Sequence, residues 1–140
     1  MAYYTFMASK FIPGKFDLRV KRSRAGLGLY TFSPIKKGEC IIEYVGPTIS
    51  AKEEEDSNSL YLFAVTKKKT IDGRPKWNTA GYINHSCRPN CEIDTYKGRV
   101  WVMAKRNIKV GEELNYDYDT DYFEEYIKPK GCRCLKCKPE

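Results

Sequence analysis

Short runs of β-branched and aromatic residues alternate along the chain with clusters of glycine, proline, asparagine and aspartate. Such runs predict strands, and the clusters between them predict turns. Strands are expected at residues 16–20, 27–32, 40–45, 60–66, 91–96, 99–104 and 114–118. Helix is expected only in fragments near 51–56 and 122–127, where acidic residues and good helix formers cluster. The pattern therefore predicts a mainly β fold of several small sheets rather than a helical bundle.

The glycines predict two kinds of turn. Lys97-Gly98 separates two alternating runs, which predicts a tight hairpin. Residues 35–39 (Ile-Lys-Lys-Gly-Glu) and 108–112 (Ile-Lys-Val-Gly-Glu) are near copies, each with its glycine just before an expected strand. We therefore expect the same turn chemistry at both places, although the copies are too short to indicate a repeat fold.

The length of 140 residues suits one compact domain with a single core. No stretch has the apolar length needed to cross a bilayer, and residues 1–7 lack the basic flank and long apolar run of a signal peptide. An intracellular protein without a membrane partner is therefore expected. Since no oligomerisation signal stands out, we expect a monomer.

The net charge of +7 is distributed unevenly. Residues 10–37 carry eight Lys or Arg against the single acid Asp17, whereas residues 112–125 carry seven acids and no base. A basic face attracts phosphate or acidic partners, and an acidic stretch favours a Lys/Arg-rich peptide. Both stretches are equally compatible with ordinary solvated surface.

Cysteines are concentrated at the C-terminus. The six are Cys40, Cys87, Cys91, Cys132, Cys134 and Cys137. The spacing of the last three is poor for mutual disulfides but suits ligands wrapped around one metal ion, for which zinc is the natural candidate. Spacing leaves the fourth ligand open among Cys40, Cys87, Cys91 and His85. Ordinary reduced thiols on a tail are the alternative.

Four separated segments carry side chains suited to a binding site or a reaction. Gly26-Leu-Gly28 would let a ligand approach the backbone closely, but it lacks the spacing of a dinucleotide or phosphate loop. The others are Tyr61-Leu-Phe, Asn84-His85 and the stretch 113–118. Taken singly, each tyrosine is more typical of a core or sheet position than of a catalyst. Because histidine titrates near neutrality, an acid–base role for His85 stays open.

The order and combination of these segments resemble the SET domain of protein lysine methyltransferases, over about residues 20–137. Gly26-Leu-Gly-Leu-Tyr30 is similar to the family's first cofactor-binding loop, and Glu43-Tyr-Val-Gly46 to the strand end that follows it. Asn84-His-Ser-Cys-Arg-Pro-Asn90 matches the family's most diagnostic motif. Gly111-Glu-Glu-Leu-Asn-Tyr-Asp-Tyr118 matches the second, and Cys132-Arg-Cys-Leu-Lys-Cys137 resembles the cysteine cluster of a post-SET segment.

The resemblance implies a SET-domain fold of small curved sheets with few short helices and a knot-like C-terminal threading. It implies an N-terminal extension at 1–14, the SET domain at 15–125 and a post-SET zinc-binding segment at 126–140. The implied reaction transfers a methyl group from S-adenosylmethionine to a lysine side-chain amine in a basic protein such as a histone, leaving S-adenosylhomocysteine. This displacement needs alignment, a neutral amine and a path for the released proton. Burial and the neighbouring sulfonium both lower the pKa of the amine, so no strong base is required.

The family pattern also implies residue roles. Tyr118 becomes the principal catalytic tyrosine and Tyr61 the second channel tyrosine. Tyr116 occupies a position where the family carries Tyr or Phe, and its hydroxyl would favour the addition of one or few methyl groups. The implied cofactor contacts are Gly26, Leu27, Gly28, Leu29, Tyr30, Tyr61, Asn84, His85 and Tyr118. The implied zinc ligands are Cys87, Cys132, Cys134 and Cys137.

Some positions depart from the family pattern. Pro47 stands where an acidic residue is usual, and Gly81 where an arginine commonly precedes the Asn-His motif. The post-SET cysteines are more tightly spaced than usual and the insert at 48–59 is short, so the choice of substrate is not carried over. The acidic run 117–125 would lie beside the channel, where it would attract a basic peptide or cap a short helix.

Two other functions remain open at this point. One is a catalytically silent module of the same fold that binds a peptide. The other is a basic, zinc-stabilised nucleic-acid-binding protein, motivated by residues 10–37 and 67–76, and nucleic acid could also be contacted through a nucleosome. The expected location is the nucleus or chromatin in a eukaryote and the cytoplasm in a bacterium.

Overall fold

The computed structural model of this 140-residue chain describes residues 10–24, 26–49, 62–66 and 69–118. Strands dominate the described residues, which confirms the mainly β prediction. The strands are β1 Leu18–Ser23, β2 Gly26–Thr31, β3 Cys40–Tyr44, β4 Thr48–Ile49, β5 Leu62–Thr66, β6 Lys69–Asp72, β7 Asn84–His85, β8 Cys91–Tyr96, β9 Arg99–Ala104 and β10 Asn115–Tyr116. A short 3₁₀-helix spans Thr79–Tyr82. Among the described residues, no helix is long and apolar enough to cross a bilayer.

The described strands form four small sheets. Two of them have three strands, in the orders β3-β9-β8 and β4-β6-β5. The other two are the antiparallel hairpin β1-β2 and the parallel pair β7-β10. The strands expected at 27–32, 40–45, 91–96 and 99–104 are confirmed to within one residue. The helices expected at 51–56 and 122–127 lie outside the described residues, as does most of the predicted C-terminal threading.

Three strands were not predicted. β4 and β7 have two residues each, and β6 contains Ile71 as its single strongly apolar residue. β6 pairs with β4 on one edge and β5 on the other, so it is the middle strand of its sheet. Pairing on both edges, rather than an apolar run, makes this segment a strand.

β9 lies between two antiparallel neighbours and is covered on both faces. Its residues 100 to 104 are all buried. Val100, Val102 and Ala104 face the main core, whereas Trp101 and Met103 join a second cluster on the opposite face. Because both faces are buried, the strand appears in the sequence as a continuous apolar run.

The main core joins the sheets into one body. Its buried members are Leu29, Ile35, Ile41, Tyr44, Ile71, Ala80, Ile83, Cys91, Val100, Val102, Ala104, Ile108 and Leu114. In the second cluster, the Phe11 ring stacks on Tyr96 with 4.7 Å between centroids and lies 6.1 Å from Trp101. The described end of the predicted N-terminal extension therefore packs on the β3-β9-β8 sheet, which we call the central sheet.

The hairpin and the twin turns form as predicted. Lys97 and Gly98 connect β8 to β9 with positive φ values of 51° and 73°. At the twin turns, Gly38 and Gly111 have φ values of 89° and 92°. That similarity confirms the expectation that the same turn chemistry is used twice.

The two copies of the turn also pair with each other. Ile35 and Ile108 form an antiparallel bridge through hydrogen bonds of 2.9 and 2.7 Å, and both side chains are buried. Glu39 accepts from the Lys36 backbone N–H at 2.7 Å, and Glu112 accepts from the backbone N–H three residues before it at 2.5 Å. The near-repeat therefore builds a local pseudo-symmetric clasp whose second half leads into the stretch 113–118.

Replacing Gly38 or Gly111 with Ala should each lower the free energy of unfolding by about 1–2 kcal/mol, because φ is positive and L-residues are strained there. A Cβ at either position meets nothing within 4 Å, so packing adds no further cost. Gly111→Asn should cost less than Gly111→Ala, since asparagine tolerates positive φ. Urea unfolding measures all three variants. Equal costs for the Asn and Ala variants would contradict the backbone explanation.

Candidate active site

Residues 113–118 lie between two segments that are distant from them in sequence. On one edge, Tyr30 of β2 bridges Glu113, and the Leu114 N–H donates to the Leu29 carbonyl at 2.8 Å. On the other edge, β10 runs parallel to β7, with Asn115 opposite Asn84 and Tyr116 opposite His85. The glycine loop, the Asn-His motif and the tyrosine motif are thereby brought into one place.

Asn90, the last residue of the Asn-His motif, fixes the distance between that motif and the tyrosine segment. Its backbone N–H donates to Asn115 Oδ1 and its own Oδ1 accepts from the Asn115 N–H, both at 2.9 Å. Its Nδ2 donates to the Glu113 carbonyl at 2.8 Å. The side chain is only 1% exposed. The sequence predicts no role for Asn90, because a single asparagine gives no signal beyond its place in the motif.

His85 has both ring nitrogens engaged. Nδ1 accepts from the Tyr118 backbone N–H at 3.1 Å, so the proton of the neutral ring is on Nε2, which lies 3.2 Å from Cys87 Sγ. Burial lowers the pKa of His85, and the Asp117 carboxylate, 3.6 Å from Nδ1, only partly opposes this. A neutral ring with an occupied Nδ1 is suited to holding the two motifs together rather than to accepting a proton.

Two of the three predicted catalytic tyrosines lie side by side. The Tyr118 and Tyr116 ring centroids are 4.7 Å apart, and the Tyr118 ring is 5.3 Å from that of His85. The Tyr118 hydroxyl donates to the Ile83 carbonyl at 2.7 Å, which fixes its position. The third, Tyr61, lies outside the described residues.

A cavity of about 270 Å³ opens beside Tyr116. It is lined by Pro89, Cys91, Glu92, Ile93, Lys105, Tyr116 and Asp117. The two carboxylates in this wall outnumber the single ammonium of Lys105. The space next to Tyr116 therefore has acidic character, which suits a cationic side chain.

Asn84 and the glycine loop are in direct contact. Asn84 Nδ2 lies 2.9 Å from the Leu27 carbonyl, 2.8 Å from Glu113 Oε2 and 3.1 Å from Ser23 Oγ. A Cβ on Gly28 would lie 2.9 Å from the Glu113 carboxyl carbon and 3.1 Å from Asn84 Nδ2. Glycine at position 28 therefore leaves room for the Glu113 carboxylate and the Asn84 amide beside the loop.

The remaining predicted cofactor residues differ in accessibility. Gly26, with a φ of 107°, and Leu27, whose side chain is 55% exposed, are open to solvent. The Leu29 side chain is fully buried in the main core. The Tyr30 hydroxyl donates to the Arg22 carbonyl at 3.2 Å. Burial, and then the negative charge of Glu113, raises the pKa of Tyr30.

The two departures from the family pattern lie beside one turn. A Cβ on Gly81 would lie 3.2 Å from the Gly73 carbonyl oxygen, and the Asp72 N–H donates to the Pro47 carbonyl at 2.9 Å. In this turn, Arg74 binds both oxygens of Asp72 and holds the pKa of that carboxyl below its usual value. The turn therefore carries the Asp72–Arg74 ion pair close to Pro47 and Gly81, the two positions where the family pattern usually has charged residues.

Of the predicted zinc ligands, only Cys87 lies among the described residues. It is half-buried on the turn after β7. Cys40 and Cys91 are buried in the sheets, where burial raises the pKa of their thiols to about 11 and about 12. Cys132, Cys134 and Cys137 lie outside the described residues.

The chain is similar in sequence to known histone-lysine N-methyltransferases. Histone-lysine N-methyltransferase 2D of Homo sapiens is 35% identical over 138 residues, which cover 89% of this chain and 2% of that protein. Histone-lysine N-methyltransferase NSD3 of Mus musculus is 40% identical over 115 residues, covering 73% of this chain and 8% of that protein. Histone-lysine N-methyltransferase ASHH3 of Arabidopsis thaliana is 34% identical over 128 residues, which cover 82% of this chain and 34% of that protein.

The chain thus spans about a third or less of the length of these relatives. The family model for the SET domain matches residues 26–119. That match covers more than half of the chain and includes the glycine loop, the Asn-His motif and the tyrosine motif. The chain therefore belongs to the SET domain family.

Proposed function

We propose that this protein transfers the methyl group of S-adenosylmethionine to the side-chain amine of a lysine in a basic protein such as a histone. The observation that carries the proposal is the convergence at residues 113–118, where the Tyr116–Tyr118 pair meets Asn84 and the glycine loop. The relatives named above are all histone-lysine N-methyltransferases, which supports the choice of substrate class. In a eukaryote, a histone substrate would place the enzyme on chromatin.

The cofactor supplies a methyl group on a sulfonium, and the residues of the chain supply alignment. The Tyr118 hydroxyl donates its proton to the Ile83 carbonyl, so its oxygen would act as an acceptor toward an N–H of the lysine amine. Such a bond orients the nitrogen lone pair toward the methyl group. The carboxylates of Glu92 and Asp117 would attract the cationic side chain to the cavity. His85 takes no part in proton transfer, since its Nδ1 is occupied.

Zinc is the second part of the proposal, with Cys87, Cys132, Cys134 and Cys137 as ligands in a post-SET segment at 126–140. Cys87 supports it by position, because it follows β7 directly and its Sγ lies 3.2 Å from His85 Nε2. Cys40 and Cys91 are disfavoured as the fourth ligand because both side chains are buried inside the two hydrophobic clusters. Zinc there would tie the C-terminal segment to the Asn-His motif.

The nucleic-acid-binding alternative is favoured by one specific feature of the surface. The paired twin turns place four exposed lysines, Lys36, Lys37, Lys105 and Lys109, at one end of the central sheet. None of the four has an ion-pair partner within the described residues. A polyanion bound at this end would fit either a separate function or a substrate presented on a nucleosome.

Tyr118→Phe should lower kcat by roughly 100-fold, because the lysine amine loses the oxygen that orients it. Labelled S-adenosylmethionine with core histones, other basic proteins and the enzyme itself as substrates measures the activity. Tyr96→Phe is the matched control, since the buried Tyr96 hydroxyl has no hydrogen-bond partner among the described residues. Wild-type activity of Tyr118→Phe would contradict the assigned role. Absence of transfer and of cofactor binding, together with tight, salt-dependent binding of DNA or RNA, would favour the nucleic-acid alternative.

Tyr116→Phe should shift the product from mainly monomethyl-lysine toward di- and trimethyl-lysine. The Tyr116 hydroxyl would hold a water in the space that further methyl groups need, and phenylalanine removes that hydrogen bond. Mass spectrometry of a methylated peptide gives the product ratio. Mostly trimethyl product from the wild type, with an unchanged pattern in the variant, would show that the hydroxyl does not limit methylation.

Cys134→Ser should lower bound zinc and methyl transfer together, because serine is a poor zinc ligand at neutral pH. Metal analysis of the purified protein and the methyl-transfer assay give the two readouts. Cys40→Ala is the control, since that thiol lies in the second core cluster and should affect stability without changing zinc content. Full zinc content and full activity in Cys134→Ser would remove the zinc proposal.

A further inference from the structure

Glu113 carries a carboxylate that has no cationic partner among the described residues. Its neighbour Glu112 binds Arg106 at 2.9 Å, whereas Glu113 points to the opposite side of the segment, toward Asn84 and Gly28. It is half-buried and lies beside the phenol of Tyr30. A partly desolvated carboxylate that receives only neutral donors is a suitable neighbour for a cation.

The carboxylate also determines which way the Asn84 amide faces. Glu113 and the Leu27 carbonyl oxygen accept only, so both must face the NH₂ group of the amide. Nδ2 is therefore directed to these two oxygens, and Oδ1 faces the other way. Within the described residues, Oδ1 receives no hydrogen bond. Asn84 thus presents an open acceptor at the edge of the glycine loop.

From this arrangement we infer that Glu113 is a binding residue for the amino-acid end of the cofactor, where it orients Asn84 and supplies the negative charge that the α-ammonium group requires. This inference rests on the proposed function. An ammonium group only donates, and it would find two kinds of acceptor here: the Glu113 carboxylate, which lies beside Gly28, and the open Oδ1 of the Asn84 amide, whose Nδ2 the carboxylate holds. Hydrogen bonds to a charged partner are the stronger kind, so the carboxylate would contribute a large part of the affinity.

The position of the Glu113 carboxylate also explains the glycine at position 28. A side chain there would displace the Glu113 carboxylate and also crowd Asn84 Nδ2. The glycine loop, Glu113 and Asn84 therefore form one unit, which we call the ammonium site. Each of its parts comes from a different one of the three convergent segments.

The test compares two ligands that differ in the amino-acid end alone. S-Adenosylhomocysteine carries the α-ammonium, whereas 5′-methylthioadenosine lacks the whole amino-acid part. In Glu113→Gln, the Kd of S-adenosylhomocysteine should rise about 10- to 100-fold, the range expected for a charged hydrogen bond. The Kd of 5′-methylthioadenosine should change by less than about twofold. The KM for S-adenosylmethionine should rise with kcat largely kept at saturation.

Glu112→Gln is the matched control. It removes the same charge at the neighbouring position, where the side chain binds Arg106 instead of facing Asn84. It should lower stability and leave the ratio of the two Kd values unchanged. Calorimetric titration of the full chain gives these values for wild type, Glu113→Gln and Glu112→Gln. Equal weakening of both ligands in Glu113→Gln, or no weakening of either, would overturn the inference while the proposed function stands. Failure of the wild type to bind either ligand would overturn both.

Discussion

The arrangement of this protein depends on hydrogen bonding of residues 111–118 along both edges. On one edge the segment bonds to β2, through the Thr31 N–H to the Glu112 carbonyl and the Leu114 N–H to the Leu29 carbonyl. On the other edge it pairs in parallel with β7, and the Ser86 N–H donates to the Tyr116 carbonyl. Strand pairing fixes register in steps of one residue, so the positions of the glycine loop, the Asn-His motif and both tyrosines are set together.

Hydrogen bonds between polar groups hold residues 113–118 to the Asn-His motif. Asn90 is almost completely buried and exchanges two hydrogen bonds with Asn115. Buried, hydrogen-bonded amides of this kind resist displacement, since breaking one bond leaves another polar group unsatisfied. His85 adds a link from β7 to the backbone of Tyr118. The same arrangement explains why the single histidine of the chain is held neutral and acts as a connector.

The apolar pattern predicted the strands that the main core buries and failed on those that pairing creates. β9 was evident because both of its faces are covered, and the hairpin before it because Lys97-Gly98 has the required turn chemistry. β6 was not evident because its two edges are paired while its sequence is largely polar. The twin turns were recognised individually, but their pairing through Ile35 and Ile108 joins residues far apart in the chain. The apolar pattern along the sequence reports local structure and does not predict a contact between distant residues.

The sequence by itself determined the mainly β class, the turn chemistry and, through its ordered motifs, membership of the SET domain family. It also indicated which residue types belong to the site. Only the tertiary structure decided how they are connected: that Asn84 faces Glu113, that Asn90 locks onto Asn115 and that both ring nitrogens of His85 are engaged. Periodicity and motif spacing report local geometry and composition, whereas hydrogen-bond partners and the direction of a side chain depend on contacts between distant segments, which exist only once the chain has folded.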